Sequence, residues 1–270
     1  MALTTARTPV HAARTIRALD PAEIDWAALR RVYPENDGQP MAENTRQYEW
    51  ITTIVGGLQA LFRDAPDVFV AGDLLWYPEE GQPARCVAPD ALVVFGRPKG
   101  HRGSYLQFLE GGIAPQVVFE VLSPKNTARE MADKRAFYEQ YGVEEYYEYD
   151  PDRGALRGWR RHSGRLSPVA EMRGWLSPRL GVRFDLEDGE LRLYRPGGQP
   201  FASYVELEVQ REQAHRRAEE EHRRAEEEHR RAEDEHRRAE EEHRRAEDEH
   251  RRAERLAVQL RTLGIDPEVP

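Results

Sequence analysis

The stretch QVVFEVLSP, residues 116 to 124, contains an apolar run that is interrupted by one carboxylate. Its β-branched, aromatic and aliphatic residues would occupy both faces of a strand, which is typical of a strand covered on both sides in the middle of a sheet. Glu120 is the exception, because an ionised carboxylate in such a strand is costly unless it is paired, protonated or bound to a metal. Glu120 is therefore expected to have a cationic partner, a bound proton or a metal ion.

Two strands are predicted before this stretch. DVFVAGDLLWYP (67–78) is predicted to form one strand, and CVAPDALVVF (86–95) is predicted to form the second arm of a hairpin. Pro89 is tolerated only at an edge or at the mouth of a strand, because proline cannot donate to the ladder. Asp90 is therefore expected where the second strand enters the sheet.

A helix is predicted directly after the opening stretch, over KNTAREMADKRAFYEQYG (125–142). Lys134 lies three residues from Met131 and from Phe137 and four residues from Tyr138, which are members of the apolar stripe. Residues three and four apart share one face of a helix, so the Lys134 side chain is expected to point toward the sheet.

Two further helices are predicted near the N-terminus. EIDWAALRRVY favours a short helix with Asp20 or Pro21 near its start, ending by Tyr33. From Met41 to Phe62, apolar residues recur at spacings of three and four, which indicates an amphipathic helix. Glu43, seven residues before Trp50, is expected on the core-facing stripe of that helix, pointing inward near one end.

The remaining elements complete an α/β fold. Residues 143–150 are predicted to form a strand and 155–162 its return, while 181–196 contain a hairpin signal at Asp188-Gly189 between two alternating arms. The predicted fold class is α/β, with a mixed central β-sheet flanked by helices.

Composition sets limits on the class of protein. The 270 residues are 39% hydrophobic and 33% charged, enough for one sizeable core and a segment outside it. The formal charge of −9 is uneven, because five heptads between residues 215 and 249 each hold two Arg and three Asp or Glu and account for −5. Net charge therefore does not decide whether nucleic acid is a partner.

The single cysteine, Cys86, excludes an intrachain disulfide and a cysteine-based zinc site, and it favours a reducing, cytoplasmic compartment. No apolar run approaches the roughly 20 residues that span a bilayer, so no membrane segment is predicted. Residues 1–19 carry three Arg and no acidic residue, but they have no apolar core of a secretory signal. A basic arm is predicted there, with a transit peptide or a phosphate-contacting arm as alternatives.

The loop GRPKGHRG (96–103) carries four basic or imidazole side chains between glycines. A solvated turn is predicted, and a phosphate-contacting loop is the alternative.

Residues 203–263 form a heptad repeat, HRRAEEE or HRRAEDE, with six histidines in one register and six alanines in another. The repeat predicts a helix about 90 Å long. A seam of His and Ala lacks Leu, Ile and Val, whereas Glu219 to Arg223 and similar i,i+4 pairs support a solitary helix. A solitary helix and a weak coiled coil both remain open. Successive histidines are about 10.5 Å apart, so only a partner helix could complete a metal site.

Outside the repeat there are three histidines, His11, His101 and His162, so carboxylates must supply any catalytic site. Two acids on neighbouring strands, with a lysine brought over them by the next helix, can hold Mg²⁺ or Mn²⁺ and assist an attacking water. Asp90 and Glu120 are the candidate acids, and Lys134 is the candidate cation.

Several motifs at these residues resemble a known family. The bacterial restriction endonucleases of the Uma type, in the PD-(D/E)XK nuclease superfamily, are similar to this chain over roughly residues 35–185. The motifs are PDALVVF (89–95), VFEVLSP (118–124), the run from Lys134 through FYEQYGVEEYYEYDP (137–151), MAENTRQYEWI (41–51), VFVAGDLLWYP (68–78) and the ending LGIDP (263–267).

The resemblance implies a restriction-endonuclease-like fold, DNA as partner and a Mg²⁺-dependent endonuclease activity with Asp90 and Glu120 as metal ligands. It also implies that Glu43 adds a helical acid to the metal site. The superfamily pattern is E-x-K, yet Leu122 stands where the lysine is expected. The resemblance implies that in this family the lysine lies on the following helix, where Lys134 matches it.

The predicted organisation is an N-terminal arm and short helix (1–34), a nuclease-like domain (35–200), the heptad helix (203–263) and a C-terminal tail (264–270). An alternative function is an interaction protein, in which a nuclease-like head carries a long helix for homo-oligomerisation or spacing. A third is a hydrolase that uses the same acids on a substrate other than nucleic acid.

Overall fold

The computed structural model describes residues 24–38, 40–262 and 264. The predicted basic arm, the helix start at Asp20 or Pro21 and most of the C-terminal tail lie outside these residues. The chain divides into two units between Val205 and Glu206. The finer domain bounds stay predictions.

The described residues form eleven strands and four helices in a mixed α/β arrangement. In chain order they are α1 (Trp26–Val32), α2 (Thr45–Leu61), β1 (Val68–Ala71), β2 (Trp76–Tyr77), β3 (Ala91–Phe95), β4 (Tyr105–Leu106), β5 (Val117–Val121), α3 (Ala128–Tyr141), β6 (Glu145–Asp150), β7 (Ala155–His162), β8 (Arg165–Pro168), β9 (Trp175–Leu176), β10 (Arg183–Glu187), β11 (Glu190–Tyr194) and α4 (Tyr204–Thr262).

A mixed six-stranded sheet lies at the centre of the first unit, in the order β1-β3-β5-β6-β7-β8. Strands β5 and β6 pair in parallel and the other neighbours are antiparallel. All five residues of β5 are buried. The prediction of a central strand covered on both sides is therefore confirmed.

The two faces of the sheet bury different apolar clusters. One face packs against α2 through Ile51, Ile54 and Leu58, and it also contacts the smaller sheet β11-β10-β9. The opposite face packs against α3 through Tyr138. Because side chains alternate along a strand, Phe119 faces α2 whereas Glu120 faces α3.

Polar caps mark the starts of α1 and α2. Asp25 caps α1, and its side chain accepts the Ala28 N–H. Helix α2 begins at Thr45 with Asn44 as its cap, because the Asn44 side chain accepts the Gln47 N–H. Glu43 therefore precedes the helix, and its predicted place on the core-facing stripe of α2 is wrong.

Helix α3 has strong signals at both ends. Thr127 and Glu130 form a reciprocal capping box at its start, and Gly142 ends it in the left-handed conformation with φ 99°. The helix begins three residues later than predicted, because the Thr127 side chain accepts the Glu130 N–H and so caps the first turn.

The predicted strand 67–78 is broken in two by a turn at Gly72 and Asp73. A side chain at Gly72 would lie 2.7 Å from Val55 Cγ2, so the backbone passes too close to α2 for a larger residue. Asp73 then adopts φ 48°, a conformation that aspartate tolerates better than most residues. After this turn, β2 leaves the central sheet and pairs in parallel with β4.

The hairpin predicted at Asp188-Gly189 is confirmed between β10 and β11. Both turn residues have positive φ, 52° and 83°, as a two-residue hairpin turn of this kind requires.

The predicted long helix is also confirmed, since α4 is 59 residues long. Each of its six periodic histidines lies 3.3 to 3.9 Å from a glutamate four residues later. Whether α4 pairs with another helix stays a prediction. Among the described residues, none of the helices is long and apolar enough to cross a bilayer.

Candidate metal and active site

Glu120 is a buried carboxylate with partners on both oxygens. Its side chain is 3% exposed, and the Lys134 ammonium donates to its Oε2 across 2.8 Å. The Tyr138 hydroxyl donates to its Oε1. The partner that the sequence required for Glu120 is therefore supplied by α3, and the predicted direction of Lys134 is confirmed.

Asp90 lies at the mouth of β3, immediately before its first residue. Ala91 is the register partner of Phe119, so the next position along brings Asp90 opposite Glu120. Its Oδ2 accepts the backbone N–H of Val121 at 2.6 Å, which fixes the carboxylate beside β5. The predicted position of Asp90 is confirmed.

Electrostatic effects connect the three predicted residues. Burial and the negative charge of Glu120 hold the pKa of Asp90 well above its usual range, against the opposing effects of the Val121 N–H and Lys134. Burial lowers the pKa of Lys134, but the charge and hydrogen bond of Glu120 outweigh it, so the net direction is upward. Lys134 is consequently a stable cation between two acids.

Asp73 is a further acid at this site that sequence reasoning missed. Partial desolvation and the charge of Asp37 raise its pKa, Lys134 opposes them, and Glu120 adds to the increase. Its backbone N–H donates to the Pro89 carbonyl, beside Asp90. The signal that could have found it is the Gly-Asp pair inside an apparent strand, because such a pair marks a turn.

Glu43 has an ion-pair partner of its own, outside the group of Asp90, Glu120 and Lys134. Its carboxylate forms an ion pair with Lys125 in the loop after β5. The charges that act on Asp90 are those of Glu120, Lys134 and Asp73. A role of Glu43 as metal ligand stays a prediction, without the inward helical position from which it was inferred.

A second buried carboxylate lies next to Glu120 on the same face. Glu148 is its register partner on the parallel strand β6 and is 2% exposed. Glu148 Oε1 accepts the Tyr146 hydroxyl at 2.7 Å, whereas Oε2 has no hydrogen-bond partner among the described residues. The nearest cation is Arg157, with Nη1 3.5 Å from Oε2 and a side chain that is 58% exposed.

The donor set fits a hard divalent cation. Glu120 and Asp90 offer two carboxylates from adjacent strands, and Mg²⁺ typically takes one or two carboxylates and completes its octahedron with waters and substrate oxygens. Within residues 24–38 and 40–262, no group of three or more His, Cys, Asp or Glu side chains has the spacing of a complete protein-only metal cage. The two acids thus suit Mg²⁺ or Mn²⁺ better than zinc.

The basic loop 96–103 is held by contacts within the protein. Arg97 and Arg102 both pair with Glu110, at 3.1 and 2.6 Å. The Lys99 ammonium donates to the carbonyls of Phe62 and Arg63 at the end of α2. The prediction of a solvated turn is confirmed for Lys99, which is exposed, whereas Arg97 and Arg102 are partly buried in ion pairs with Glu110.

Comparison with known proteins identifies one family. The model of the Uma2 family, described as "Putative restriction endonuclease", matches residues 35–178. No curated protein matches the chain.

A solved structure also resembles the chain, a crystal structure described as "a putative nuclease belonging to DUF820" from Anabaena variabilis ATCC 29413. The two share 16% identity, with a TM-score of 0.39, over 53% of this chain and 79% of that one.

Proposed function

This chain belongs to the Uma2 family, and we propose that it is a divalent-metal-dependent endonuclease that hydrolyses phosphodiester bonds in DNA. The observation that carries the proposal is the buried carboxylate of Glu120 beside Asp90 and Lys134. A catalytic site typically combines a buried acid, a second acid with a perturbed pKa and a cation, each supplied by a separate element of the fold.

Asp90 and Glu120 would hold the cation, which would neutralise charge on the scissile phosphate and help to activate water when bound. Lys134 would then orient the attacking water or stabilise the developing negative charge, since its raised pKa keeps it protonated. Val121 supports this chemistry indirectly, because its N–H fixes the orientation of Asp90.

Asp73 would act at the mouth of the site. It is exposed, and it is close enough to influence Asp90 electrostatically. A carboxylate in this position would favour cations near the two buried acids and repel phosphates from unproductive positions.

DNA contact is proposed for two arginines on the α3 face. Arg157 is mostly exposed beside Glu148, and Arg135 lies over the Trp159 ring at 4.9 Å. Both arginines lie near β6, the strand beside the one that carries Glu120. They would therefore neutralise phosphates that flank the scissile bond. The single cysteine is compatible with the cytoplasm as the compartment.

The direct test is cleavage of supercoiled and linear DNA by purified protein with Mg²⁺, with Mn²⁺ and with EDTA. Metal-dependent cleavage that is lost in Glu120→Ala is expected. Titration of Mn²⁺ should detect binding to the parent protein and much weaker binding to Asp90→Ala. Cleavage by Glu120→Ala at the parent rate would exclude the proposed site.

A second candidate function is an interaction protein in which α4 acts as a spacer or an oligomerisation helix. The charge pattern of α4 favours a spacer. In the least polar seam, His215 and Ala218 are flanked by Glu221 and Glu219, and these acids would face acids of an identical helix across a coiled coil. Contacts within the helix, such as Glu212 with Arg216, use the charges instead.

Sedimentation of the full chain and of a chain lacking residues 203–270 discriminates between the two uses of α4. A spacer predicts the same oligomeric state for both over a wide concentration range. Loss of an oligomer on truncation would identify α4 as the oligomerisation element.

A further inference from the structure

Helix α3 brings two donors to the two oxygens of one carboxylate. Lys134 and Tyr138 are four residues apart, and they bond Oε2 and Oε1 of Glu120 respectively. Residues at this spacing lie one above the other on a helix, so both side chains approach the carboxylate from the same direction. Glu120 is therefore held between two consecutive turns of one helix.

The two donors differ in how firmly they are fixed. The Lys134 side chain is 24% exposed, on a flexible stem, and it also interacts with Asp90. Tyr138 is completely buried. Its ring is stacked on Trp76, with an angle of 2° between the planes, and it contacts Tyr146 at a centroid distance of 5.1 Å.

Trp76, on which the Tyr138 ring stacks, is itself held by a hydrogen bond. The indole N–H of Trp76 donates to Gln107 Oε1 at 2.9 Å, and Gln107 Nε2 donates to the Gly112 carbonyl. Aromatic side chains have few rotatable bonds, so a ring held on several sides leaves its hydroxyl in one place.

We propose that Tyr138 is a positioning residue for the metal site, which holds Oε1 of Glu120 and thereby presents Oε2 beside Asp90 to a divalent cation. This inference rests on the proposed function. A cation at Oε2 would compete with the ammonium of Lys134, and Lys134 would then be released toward water or phosphate. Tyr138 would keep its contact in both states, because it bonds the other oxygen.

The protonation of Tyr138 agrees with this role. Burial and the charge of Glu120 hold the pKa of its hydroxyl well above the usual range. The hydroxyl therefore remains a donor and is not itself a candidate anionic ligand.

Tyr146 provides a matched control in the same aromatic cluster. It is also completely buried, it lies on the same face of the sheet, and its hydroxyl donates to the buried Glu148. Tyr138→Phe and Tyr146→Phe remove the same atom from equivalent surroundings. They differ in which carboxylate loses its donor.

The test is calorimetric titration of Mn²⁺ into the full chain and into both variants, with no DNA present. Outer-shell partners of metal ligands typically change metal affinity by about 10- to 100-fold. Tyr138→Phe should weaken Mn²⁺ binding about tenfold or more, and Tyr146→Phe should change it by less than about twofold. Thermal unfolding of both variants provides the check on folding.

Three outcomes overturn the proposal. Parent-like affinity in Tyr138→Phe excludes it, and so does an equal loss in both variants, which would show an effect of cluster packing. Absence of Mn²⁺ binding by the parent excludes the proposed metal site together with it. When the parent binds Mn²⁺ and Asp90→Ala does not, parent-like Mn²⁺ affinity in Tyr138→Phe excludes this inference and leaves the proposed metal site in place.

A second measurement needs no substitution at Tyr138. In the parent protein with ¹³Cζ-labelled tyrosine and ¹⁵Nζ-labelled lysine, Mg²⁺ should shift the Lys134 resonance and leave that of Tyr138 in place. A Tyr138 resonance that moves to the position of a phenol without a hydrogen bond would contradict the proposal.

Discussion

Lys134 Nζ lies 2.8 Å from Glu120 Oε2, although the two residues are 14 positions apart in the sequence. Leu122, two residues after Glu120 on the same chain segment, cannot supply a cation to this acid. Helix α3 turns back over β5 after the Thr127 cap, and this brings a lysine from the helix to the acid on the strand. The cation of this pair is therefore supplied by the helix and not by the strand that carries the acid.

Replacing Lys134 alone should destabilise the protein more than replacing both Lys134 and Glu120. Lys134→Met leaves a buried carboxylate without its cation, and such changes cost about 3–5 kcal/mol when both groups are fully buried. Because Lys134 is partly exposed, we expect about 2–3 kcal/mol in urea unfolding without metal. Addition of Glu120→Gln should recover at least half of the loss, and strictly additive effects in the double variant would show that the pair is not coupled.

Arg157 should contribute to DNA affinity through a phosphate contact. Arg157→Ala is expected to weaken binding of a Glu120→Gln protein to DNA uniformly across sequences and to reduce the slope of log K against log salt by about 1. Fluorescence anisotropy at several salt concentrations measures both quantities. Arg160→Ala is the matched control, since Arg160 lies on β7 three residues later and points to the opposite face. Equal effects of the two substitutions would indicate only a change in net charge.

Glu148 should make stability depend on pH. Burial raises its pKa in the folded protein above the ordinary value of 4.5, against the opposing effects of Tyr146 and Arg157. A raised pKa gives a stabilising contribution that is full below about pH 4.5 and is lost as pH rises through the folded value.

Glu148→Gln cannot ionise, so its stability relative to the parent should increase from acidic to neutral pH. Each unit of pKa shift corresponds to about 1.4 kcal/mol, and a gain of about 1 kcal/mol raises Tm by about 2–4 °C. Thermal unfolding of parent and variant between pH 4 and 8 measures this difference. A difference that is constant over the whole range would contradict the assignment.

Gly57 should be intolerant of a side chain, because the ring of Phe201 packs directly on it. A Cβ there would lie 2.1 Å from Phe201 Cδ2, and Phe201 is itself fixed by its N–H bond to the Leu193 carbonyl. Gly57→Ala is expected to cost about 1–3 kcal/mol through overpacking. Gly56→Ala on the same helix meets nothing within 4 Å and should stabilise by about 0.5–1 kcal/mol. Chemical denaturation of the two variants should give shifts of opposite sign.

The parts of the fold that were predictable have strong local signals. The apolar run around Glu120, the alternating arms around Asp188-Gly189 and the long heptad repeat each specify one element without reference to the rest of the chain. The break at Gly72 and Asp73 was missed, because its cause is the close approach of α2, which is distant in the sequence. The predicted start of α2 is too early, because helical spacing alone does not reveal that Asn44 caps the helix. The predicted position of Glu43 is wrong for the same reason.

The sequence by itself determined that Glu120 needs a partner, that Asp90 stands at a strand mouth and that Lys134 faces a sheet. Each follows from a local property, namely the cost of a buried charge, the missing N–H of proline and the period of the helix. Only the tertiary structure decided that Tyr138 bonds the second oxygen of Glu120, that Asp73 approaches Asp90 and that Glu148 lies beside Glu120. Those relationships depend on strand register and on how α3 packs over β5, and neither is encoded in the spacing of any one segment.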